Sequence, residues 1–350
     1  MAQNRVAGRP RVGQAAQVIR ISEVDPADET TLRAFWETEQ ASVWADREHA
    51  IPRSWQRLVA MVSHPNDWYR RTLLVARDGD EVVGTADLGG STTDNLHLAD
   101  LEIHVRPERR RQGIGRTLDG EASQRLADDG RTSVCGEVYV PPGSSGEGVA
   151  AYAFAAAMGF EPVHTEDHLL LSLPVGAGEV ERLRAKADAT AYDVLTWSGP
   201  CPDEHLEPFC DMHTRMSTDV PVGDIDAQPV AVDAERLRAR EQRVFRSYDG
   251  ITSVARRRAD GVFGGYSQLY LPHGADYVYQ DDTLVMPEHR GHRLGTLLKL
   301  ATLDVLQRER PERVAIHTDT AVDNHAMQAT NRDFGFRPVE RMYEMQRRDG

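Results

Sequence analysis

The sequence Arg110-Arg111-Gln112-Gly113-Ile114-Gly115 has the spacing Arg-x-x-Gly-x-Gly. It follows the strand pattern Leu101–Val105, which Pro107 ends because proline cannot donate a hydrogen bond to a sheet. It precedes a helix pattern in which an apolar residue recurs every four positions, at Leu118, Ala122 and Leu126. Backbone amides at a helix start bind anions, and glycines let a phosphate approach the backbone. The stretch therefore predicts a phosphate-binding turn between a strand and a helix.

The same arrangement occurs again 180 residues later in the chain. Val105-Arg106-Pro107 has its counterpart in Val285-Met286-Pro287, which Arg290-Gly291-His292-Arg293-Leu294-Gly295 follows. Further pairs at nearly this offset are Asp78-Gly79 with Asp260-Gly261, and Gly159-Phe160 with Gly335-Phe336. Several independent features at one offset indicate a tandem duplication of a domain of about 160 residues.

Hydrophobic periodicity predicts similar elements in both copies. In the first copy we predict a hairpin that turns at Asp78-Gly79 or Gly79-Asp80, a strand at Val134–Val140 and a helix at Ala150–Met158 that ends at Gly159. In the second copy we predict strands at Tyr192–Trp197, Val262-Phe263, Thr283–Val285 and Val314–His317, a helix with Leu294, Leu298, Ala301 and Val305 on one side, and a helix at Asn324–Phe334.

The 350 residues exceed what one compact core usually holds, which also favours two domains. We predict a disordered tail at 1–17, a first domain at 18–173, a linker at 174–190 and a second domain at 191–347. The linker begins with the break Pro174-Val175-Gly176-Ala177-Gly178 and contains a charged helical stretch, Glu179–Asp188.

Composition excludes several classes of protein. The chain has 41 Lys and Arg against 55 Asp and Glu, a net charge of −14, which argues against nucleic-acid binding and weakly favours a cationic ligand. No apolar run is long enough to span a membrane. Three cysteines and no secretory signal predict a cytoplasmic protein. Cys135 lies in an apolar strand pattern, and no zinc motif is present, so we expect neither a cysteine nucleophile nor a metal.

On these residues the chain resembles the GNAT superfamily of acyl-CoA-dependent N-acyltransferases, and in particular the tandem GNAT acetyltransferases of bacteria. The family signature, Arg or Gln-x-x-Gly-x-Gly or Ala, is complete at Arg110–Gly115. In the second copy Arg290 and Gly295 match, but Arg293 replaces the first glycine. The resemblance implies an α/β fold of the α+β type that occurs twice, with a mixed, mostly antiparallel sheet flanked by helices in each domain.

The resemblance also implies that coenzyme A, as acetyl-CoA, binds at the loop and at the strand before it. The loop amides would bind the pyrophosphate, and the strand backbone, splayed from its parallel neighbour, would bind the pantetheine arm. In the first copy these residues are Ile103, His104, Val105, Arg110, Arg111, Gln112, Gly113, Ile114, Gly115 and Arg116. In the second copy they are Thr283, Leu284, Val285, Arg290, Gly291, His292, Arg293, Leu294, Gly295 and Thr296.

A second family marker lies in the last helix, where an Asn holds the cofactor arm and a Tyr seven residues later protonates the leaving thiolate. The second copy has Asn324 and Asn331 at these positions, and the first copy has Gly148 and Ala155. Neither copy is complete, so the resemblance leaves open which copy binds cofactor and which is catalytic.

The family reaction is attack of a neutral amine on the thioester, which requires a base. Glu102 is the candidate base in the first copy and Asp282, beside Asp281, in the second; a solvent-facing charge is the alternative for each. Candidate proton donors are Tyr139, Tyr152, His317, Asp319 and His325, each with a structural alternative. A thiolate can also leave unassisted, because a thiol pKa is near 8.5.

The resemblance therefore implies acetyl transfer from acetyl-CoA to a primary amine of a small molecule, by direct attack in a ternary complex. A peptide N-terminus is the alternative acceptor, and a non-catalytic acyl-CoA-binding or scaffold protein is the alternative class. We expect no nucleic-acid or membrane partner, and either a monomer whose copies pack as an internal pseudo-dimer or a homodimer.

Overall fold

The computed structural model describes residues 18–64, 67–187 and 190–348. The predicted tail at 1–17 and linker residues 188–189 lie outside this range. The first half contains β1 (Arg20–Glu23), α1 (Glu29–Trp44), α2 (Trp55–Ser63), β2 (Tyr69–Asp78), β3 (Glu81–Ser91), β4 (Leu98–Val105), α3 (Ile114–Asp128), β5 (Ser133–Val140), α4 (Ala150–Ala157) and β6 (Glu161–Ser172).

The second half follows α5 (Ala177–Lys186), which lies in the predicted linker. It contains β7 (Tyr192–Ser198), α6 (Leu206–Asp219), α7 (Ala234–Val244), β8 (Tyr248–Arg257), β9 (Phe263–Pro272), β10 (Tyr277–Val285), α8 (Leu294–Glu309), β11 (Ala315–Ala321), α9 (His325–Phe334) and β12 (Arg337–Arg348).

All twelve strands of the described residues form one sheet, in the order β1-β2-β3-β4-β5-β12-β6-β11-β10-β9-β8-β7. Each half is mostly antiparallel, with one parallel pair, β4 with β5 and β10 with β11. The last strand of each half belongs to the sheet of the other half: β12 pairs with β5, and β6 pairs with β11. Because β12 and β6 also pair with each other, the two halves share a continuous sheet.

Helices cover both faces of this sheet. On the face that we call the front face, α1 and α2 pack Leu32, Phe35 and Leu58 on the first half. Helices α6 and α7 pack on the front face of the second half through a cluster around Phe209 and Tyr266. Helices α3 and α8 pack on the opposite, back face. The middle of the front face, between these helix pairs, carries polar side chains from the central strands.

The structure confirms most of the predicted elements. Leu118, Ala122 and Leu126 are buried on one face of α3, and α4 and α9 are followed by Gly159 and Gly335 in the left-handed conformation. In α8, Leu294 and Leu298 are buried as predicted and Val305 is half-buried against the core, but Leu303 and Leu306, which were not predicted, are buried more fully than Ala301 and Val305. Among the described residues, no helix is long and apolar enough to cross a membrane.

Candidate functional site

The two Arg- and Gly-rich loops have the same backbone form. In the first loop Arg111 and Gly113 have positive φ values of 64° and 86°. In the second loop Gly291 and Arg293 have φ values of 86° and 54°, so Arg293 keeps the left-handed conformation of the glycine it replaces. Gly113 and Arg293 cap α3 and α8 without a side-chain hydrogen bond. The first amides of both helices are therefore free to bind an anion.

The first arginine of each signature holds its loop in place. Arg110 Nε donates to the carbonyl of Val105 (3.4 Å), and Arg110 Nη1 pairs with Asp46 (2.5 Å). Arg290 repeats this with Val285 (3.2 Å) and Asp219 (2.7 Å). Each guanidinium group therefore links its loop to the end of the preceding strand. Arg110 also links its loop to the segment after α1, and Arg290 links its loop to α6.

The signature's last glycines have different surroundings in the two halves. A Cβ at Gly115 would lie 3.1 Å from the ring of Phe154, so this glycine lets α3 pack against α4. A Cβ at Gly295 would meet nothing within 4 Å. Space next to the α8 start is therefore open, and a side chain added at Gly295 would project into it.

Each parallel strand pair opens into a wedge beside its loop. Pairing of β4 with β5 ends at Asp100 and Cys135, and pairing of β10 with β11 ends at Tyr279 and His317. The predicted strand residues 103–105 and 283–285 lie beyond these points, where only β3 or β9 pairs with them. Their other backbone edge faces the wedge and can hydrogen-bond a chain of amides.

On the front face, the first wedge opens into a cleft of about 260 Å³. Its lining residues are Tyr69, Arg71, Asp87, Asp100, Leu101, Glu102, Cys135, Gly136, Glu137 and Glu344. The Tyr69 hydroxyl donates to Asp100 (2.7 Å). Carboxylates therefore dominate the wall of this cleft.

Arg53 organises one side of the cleft. Its guanidinium is buried, donates to Glu39 (2.9 Å) and Asp87 (2.6 Å), and lies 3.5 Å from Glu102. Burial raises the pKa of Glu102, but the His104 ring and the Arg53 charge outweigh burial and hold that pKa at about 2. The predicted base Glu102 is thus ionised at neutral pH and has a low proton affinity.

On the opposite side of the cleft, the pKa values of the carboxyl groups are raised. Burial and the neighbouring charge of Glu344 raise the pKa of Glu137 to about 8. Burial, Asp100 and Glu166 raise the pKa of Glu344 to about 7. Burial also raises the pKa of Cys135 to about 12, which makes its thiol a poor nucleophile.

In the second half, a β-bulge in β10 falls between Gln280 and Thr283 and contains Asp281 and Asp282. Asp282 accepts a hydrogen bond from Tyr266 (2.9 Å), and Asp281 accepts one from Arg240 (3.0 Å). Burial and the Asp281 charge raise the pKa of Asp282 to about 7. Asp282 is therefore half-ionised near neutral pH, as an efficient general base should be.

Two sequence-family models match the chain at the loops just described. One, the acetyltransferase (GNAT) domain, matches residues 69–162, and the other, the acetyltransferase (GNAT) family, matches residues 224–336. Together they cover more than half of the chain, one in each half. The chain belongs to the GNAT acetyltransferase family. It is a tandem member of that family and an acyltransferase.

Solved structures support the tandem GNAT assignment. A tandem GNAT protein from the clavulanic acid biosynthesis pathway, solved without AcCoA, is 28% identical with a TM-score of 0.80; the match covers 95% of this chain and 99% of that one. A GCN5-related N-acetyltransferase from Sphaerobacter thermophilus shares the fold at 16% identity and a TM-score of 0.64, over 94% and 95% of the two chains. Comparison with curated protein sequences gives no match.

Asn324 and Asn331, the two Asn residues that match the family marker, have different surroundings in the structure. Asn324 caps the helix, its side chain accepting from the amide of Met327 (3.2 Å). Asn331 is 1% exposed and donates to Thr320 (2.9 Å), on the side of α9 that faces the sheet. Asn331 is thus buried between α9 and the sheet, and its catalytic role stays a prediction.

The predicted proton donors also have defined partners in the tandem GNAT structure. Tyr139 donates to Glu137 (2.9 Å), and Tyr152 packs edge-on against Tyr343. Asp319 accepts from Tyr279 (3.0 Å), and burial raises its pKa to about 6. These contacts place Tyr139 and Asp319, but not Tyr152, at the front of a wedge.

A chain of hydrogen-bonded side chains, which the sequence did not predict, joins the two halves. Arg47 donates to Glu340 (2.7 Å), Glu340 lies 2.9 Å from His168 Nδ1, and His168 Nε2 lies 2.9 Å from His317 Nδ1. Burial lowers the pKa of His317 to about 4, so it is neutral at pH 7. The candidate proton donor His317 is therefore part of the junction between β11 and the exchanged strands.

One group of possible metal ligands occurs among the described residues: Glu39, Glu102 and His104, whose ligand atoms lie within 4.8 Å of one another. The Arg53 guanidinium lies between Glu39 and Glu102 and already supplies a positive charge there. The geometry thus favours an ion-pair cluster at this place.

Proposed function

We propose that this tandem GNAT protein transfers the acetyl group of acetyl-CoA to a primary amine of a small cationic molecule, by direct attack in a ternary complex. One observation carries the proposal: in both halves the wedge has beside it a loop whose helix-start amides no side chain caps and a strand edge without a partner strand, and carboxylates lie near it on the front face. Cofactor and cationic amine thus have separate, adjoining places.

The residues present fit coenzyme A. The amides at the starts of α3 and α8 are uncapped by side chains, and a Cβ at Gly113, Gly291 or Gly295 would meet nothing within 4 Å. A pyrophosphate is an acceptor of backbone N–H bonds at such helix starts. The free edges of residues 103–105 and 283–285 would bind the amides of the pantetheine arm. Bound acetyl-CoA supplies the thioester that the amine attacks.

Asp282 is the base that the electrostatics favour. An alkylammonium must lose a proton before it attacks, and a carboxylate with a pKa near 7 accepts that proton better than Glu102, with a pKa of about 2. As the C–N bond forms, the C–S bond breaks, and the thiolate leaves with the electron pair. The amine proton passes to Asp282 and then to solvent. We therefore assign the acetyl transfer, with Asp282 as its base, to the wedge of the second half.

Two observations favour a small cationic acceptor: the negative charge near the wedges and the similarity to a tandem GNAT protein of known structure. Carboxylates line the cleft of the first half, and Asp281 and Asp282 lie in the β10 bulge of the second; such groups bind ammonium and repel anions. The tandem GNAT protein at 28% identity comes from a natural-product pathway, which favours a small molecule over a peptide N-terminus.

Turnover of acetyl-CoA with a panel of amines, followed as free thiol, tests the proposal. We expect thiol release only when a cationic amine is present. Gly295→Val should weaken acetyl-CoA binding, because the added side chain enters the space beside the loop, whereas Gly120→Val, at an open helix position in α3, should leave it unchanged. Tight acetyl-CoA binding without thiol release for every amine would instead indicate a non-catalytic binding protein.

A further inference from the structure

The β-bulge in β10 moves Asp282 to the front face of the sheet. Val278, before the bulge, packs in the back-face core with α8, whereas Leu284, after it, packs in the front-face cluster around Phe209. Strict alternation along a strand would put Val278 and Leu284 on the same face, because an even number of positions separates them. The extra residue of the bulge inverts the alternation. Asp282 therefore lies on the same face as Tyr266 of β9.

A fully buried hydroxyl holds one oxygen of the Asp282 carboxylate. Tyr266 is 0% exposed, and its hydroxyl donates to Asp282 Oδ2 (2.9 Å). Within the described part of the chain, Asp282 Oδ1 accepts no hydrogen bond, and no Lys, Arg or His nitrogen lies within 4.0 Å of this carboxylate. Arg240 of α7 donates to the neighbouring Asp281 instead (3.0 Å). Tyr266 thus fixes one carboxylate oxygen and leaves the other free to accept a proton.

A neutral histidine lies behind the Tyr266 hydroxyl. His213 of α6 is 4% exposed, and its Nδ1 lies 3.4 Å from the Tyr266 oxygen. Burial lowers the pKa of His213 to about 3, so the ring is neutral at pH 7 and does not take up a proton from Tyr266. Its Nε2 has no hydrogen-bond partner among the described residues, so no chain of hydrogen bonds leads onward from this ring. Tyr266 therefore holds Asp282 in place and does not relay its proton.

The described residues of the first half form no equivalent contact. In the repeat, Thr85 stands at the position of Tyr266, and Glu102 stands at that of Asp282. Thr85 is buried, and its hydroxyl has no hydrogen-bond partner among the described residues. Glu102 lies 3.5 Å from the guanidinium of Arg53 instead. The tyrosine–carboxylate contact thus occurs in the half to which we assign the acetyl transfer.

We infer that Tyr266 is a positioning residue for Asp282: its hydroxyl fixes the carboxylate so that Oδ1 is the oxygen that takes the amine proton. This role rests on the proposed function. A hydrogen bond from a rigid, buried donor keeps a general base in one orientation. It also favours the ionised base: burial and the Asp281 charge raise the pKa of Asp282 to about 7, whereas the Arg240 charge and the Tyr266 hydrogen bond lower it.

Tyr266→Phe tests this role, with Tyr270→Phe as the matched control. Tyr270 lies on the same face of β9, and its hydroxyl does not bond Asp282. The carboxyl carbons of the full chain, labelled at aspartate, are titrated by NMR, and the resonance missing from Asp282→Asn belongs to Asp282. We expect its midpoint at pH about 7 in the unsubstituted protein and about one pH unit higher in Tyr266→Phe, because a hydrogen bond to the ionised form is lost. Tyr270→Phe should leave the midpoint unchanged.

In the thiol assay, the rise of rate with pH should move upward by the same amount in Tyr266→Phe. An unchanged Asp282 midpoint in Tyr266→Phe, or an equal change in Tyr270→Phe, would overturn the inference. A moved midpoint with an unmoved rate profile would also overturn it, because Asp282 would then not be the base. Both variants keep the aromatic ring, and a thermal unfolding curve shows that they fold.

The NMR titration needs neither cofactor nor turnover, so its outcome is separate from that of the thiol assay. A midpoint that moves in Tyr266→Phe, in a protein that releases no thiol with any amine, would support the contact of Tyr266 with Asp282 and refute the acetyl transfer.

Discussion

Glu344→Gln should stabilise the free protein at neutral and alkaline pH. The ordinary glutamate pKa of 4.5 rises to about 7 at Glu344 because of burial and the charges of Asp100 and Glu166. A rise of this size corresponds to about 3 kcal/mol between the two protonation states. Glu344 is partly exposed, so solvent screening reduces the expected gain to about 2 kcal/mol.

The pH dependence of this gain follows from the sign of the pKa change. The unfolded chain loses the Glu344 proton near pH 4.5, whereas the folded chain keeps it to about pH 7. Deprotonation of Glu344 therefore lowers the free energy of unfolding. This loss grows between the two pH values and is constant above them. The stabilisation by Glu344→Gln should be near zero at pH 4.5 and complete above pH 7.

Urea unfolding followed by tryptophan fluorescence at several pH values measures this effect, with Glu147→Gln as the control. A gain of about 2 kcal/mol corresponds to a rise of about 3 °C in Tm for a chain of this length. Loss of stability at pH 8, or an equal change at pH 5 and pH 8, would refute the electrostatic reasoning.

Four further substitutions test other parts of the structure. Arg53→Met should lower the free energy of unfolding by about 3–5 kcal/mol in urea titrations, because it leaves the buried Glu39 unpaired and Asp87 with Arg71 alone; an effect under 1 kcal/mol would contradict the assigned ion pairs. Asp282→Asn should reduce the rate of thiol release about 100-fold or more and remove the rise of rate with pH near 7, while acetyl-CoA affinity in calorimetry stays constant; an unchanged pH profile would exclude Asp282 as the base. Gly295→Ala should leave Tm unchanged, because its Cβ meets nothing within 4 Å, whereas Gly115→Ala should lower it, because its Cβ would lie 3.1 Å from Phe154; equal Tm changes would refute this difference in packing.

Local sequence patterns were sufficient to predict the loops, the repeat and the helix ends. The proline, the arginine and the glycines of the first loop act within a few residues of one another, so spacing alone shows where the strand ends and the helix begins. The helix caps at Gly159 and Gly335 are predictable for the same reason, since each requires a positive φ at one residue. The domain repeat could also be predicted, because the same local patterns occur twice at nearly the same offset.

The candidate site depended more on tertiary structure. Glu102 and Asp282 were predicted as bases from their strand positions, but their pKa values, about 2 and about 7, depend on Arg53, His104 and Asp281 and on burial. Sequence could have indicated Glu137, because Cys135, Glu137 and Tyr139 alternate with valine and glycine along β5 and so share one face. It could not show that this face lines a cleft.

The sequence by itself determined that this protein has two copies of a GNAT domain, each with an Arg- and Gly-rich loop before a helix, because these features arise from neighbours in the chain. Only the tertiary structure decided that the last strands are exchanged and that Glu344 lies beside Glu137, since strand partners 207 residues apart are chosen by packing and register rather than by local preference. Each half also receives one strand from the other, and these strands bring different side chains to the two wedges: Glu344 opposite Glu137 in the first and His168 opposite Asp319 in the second.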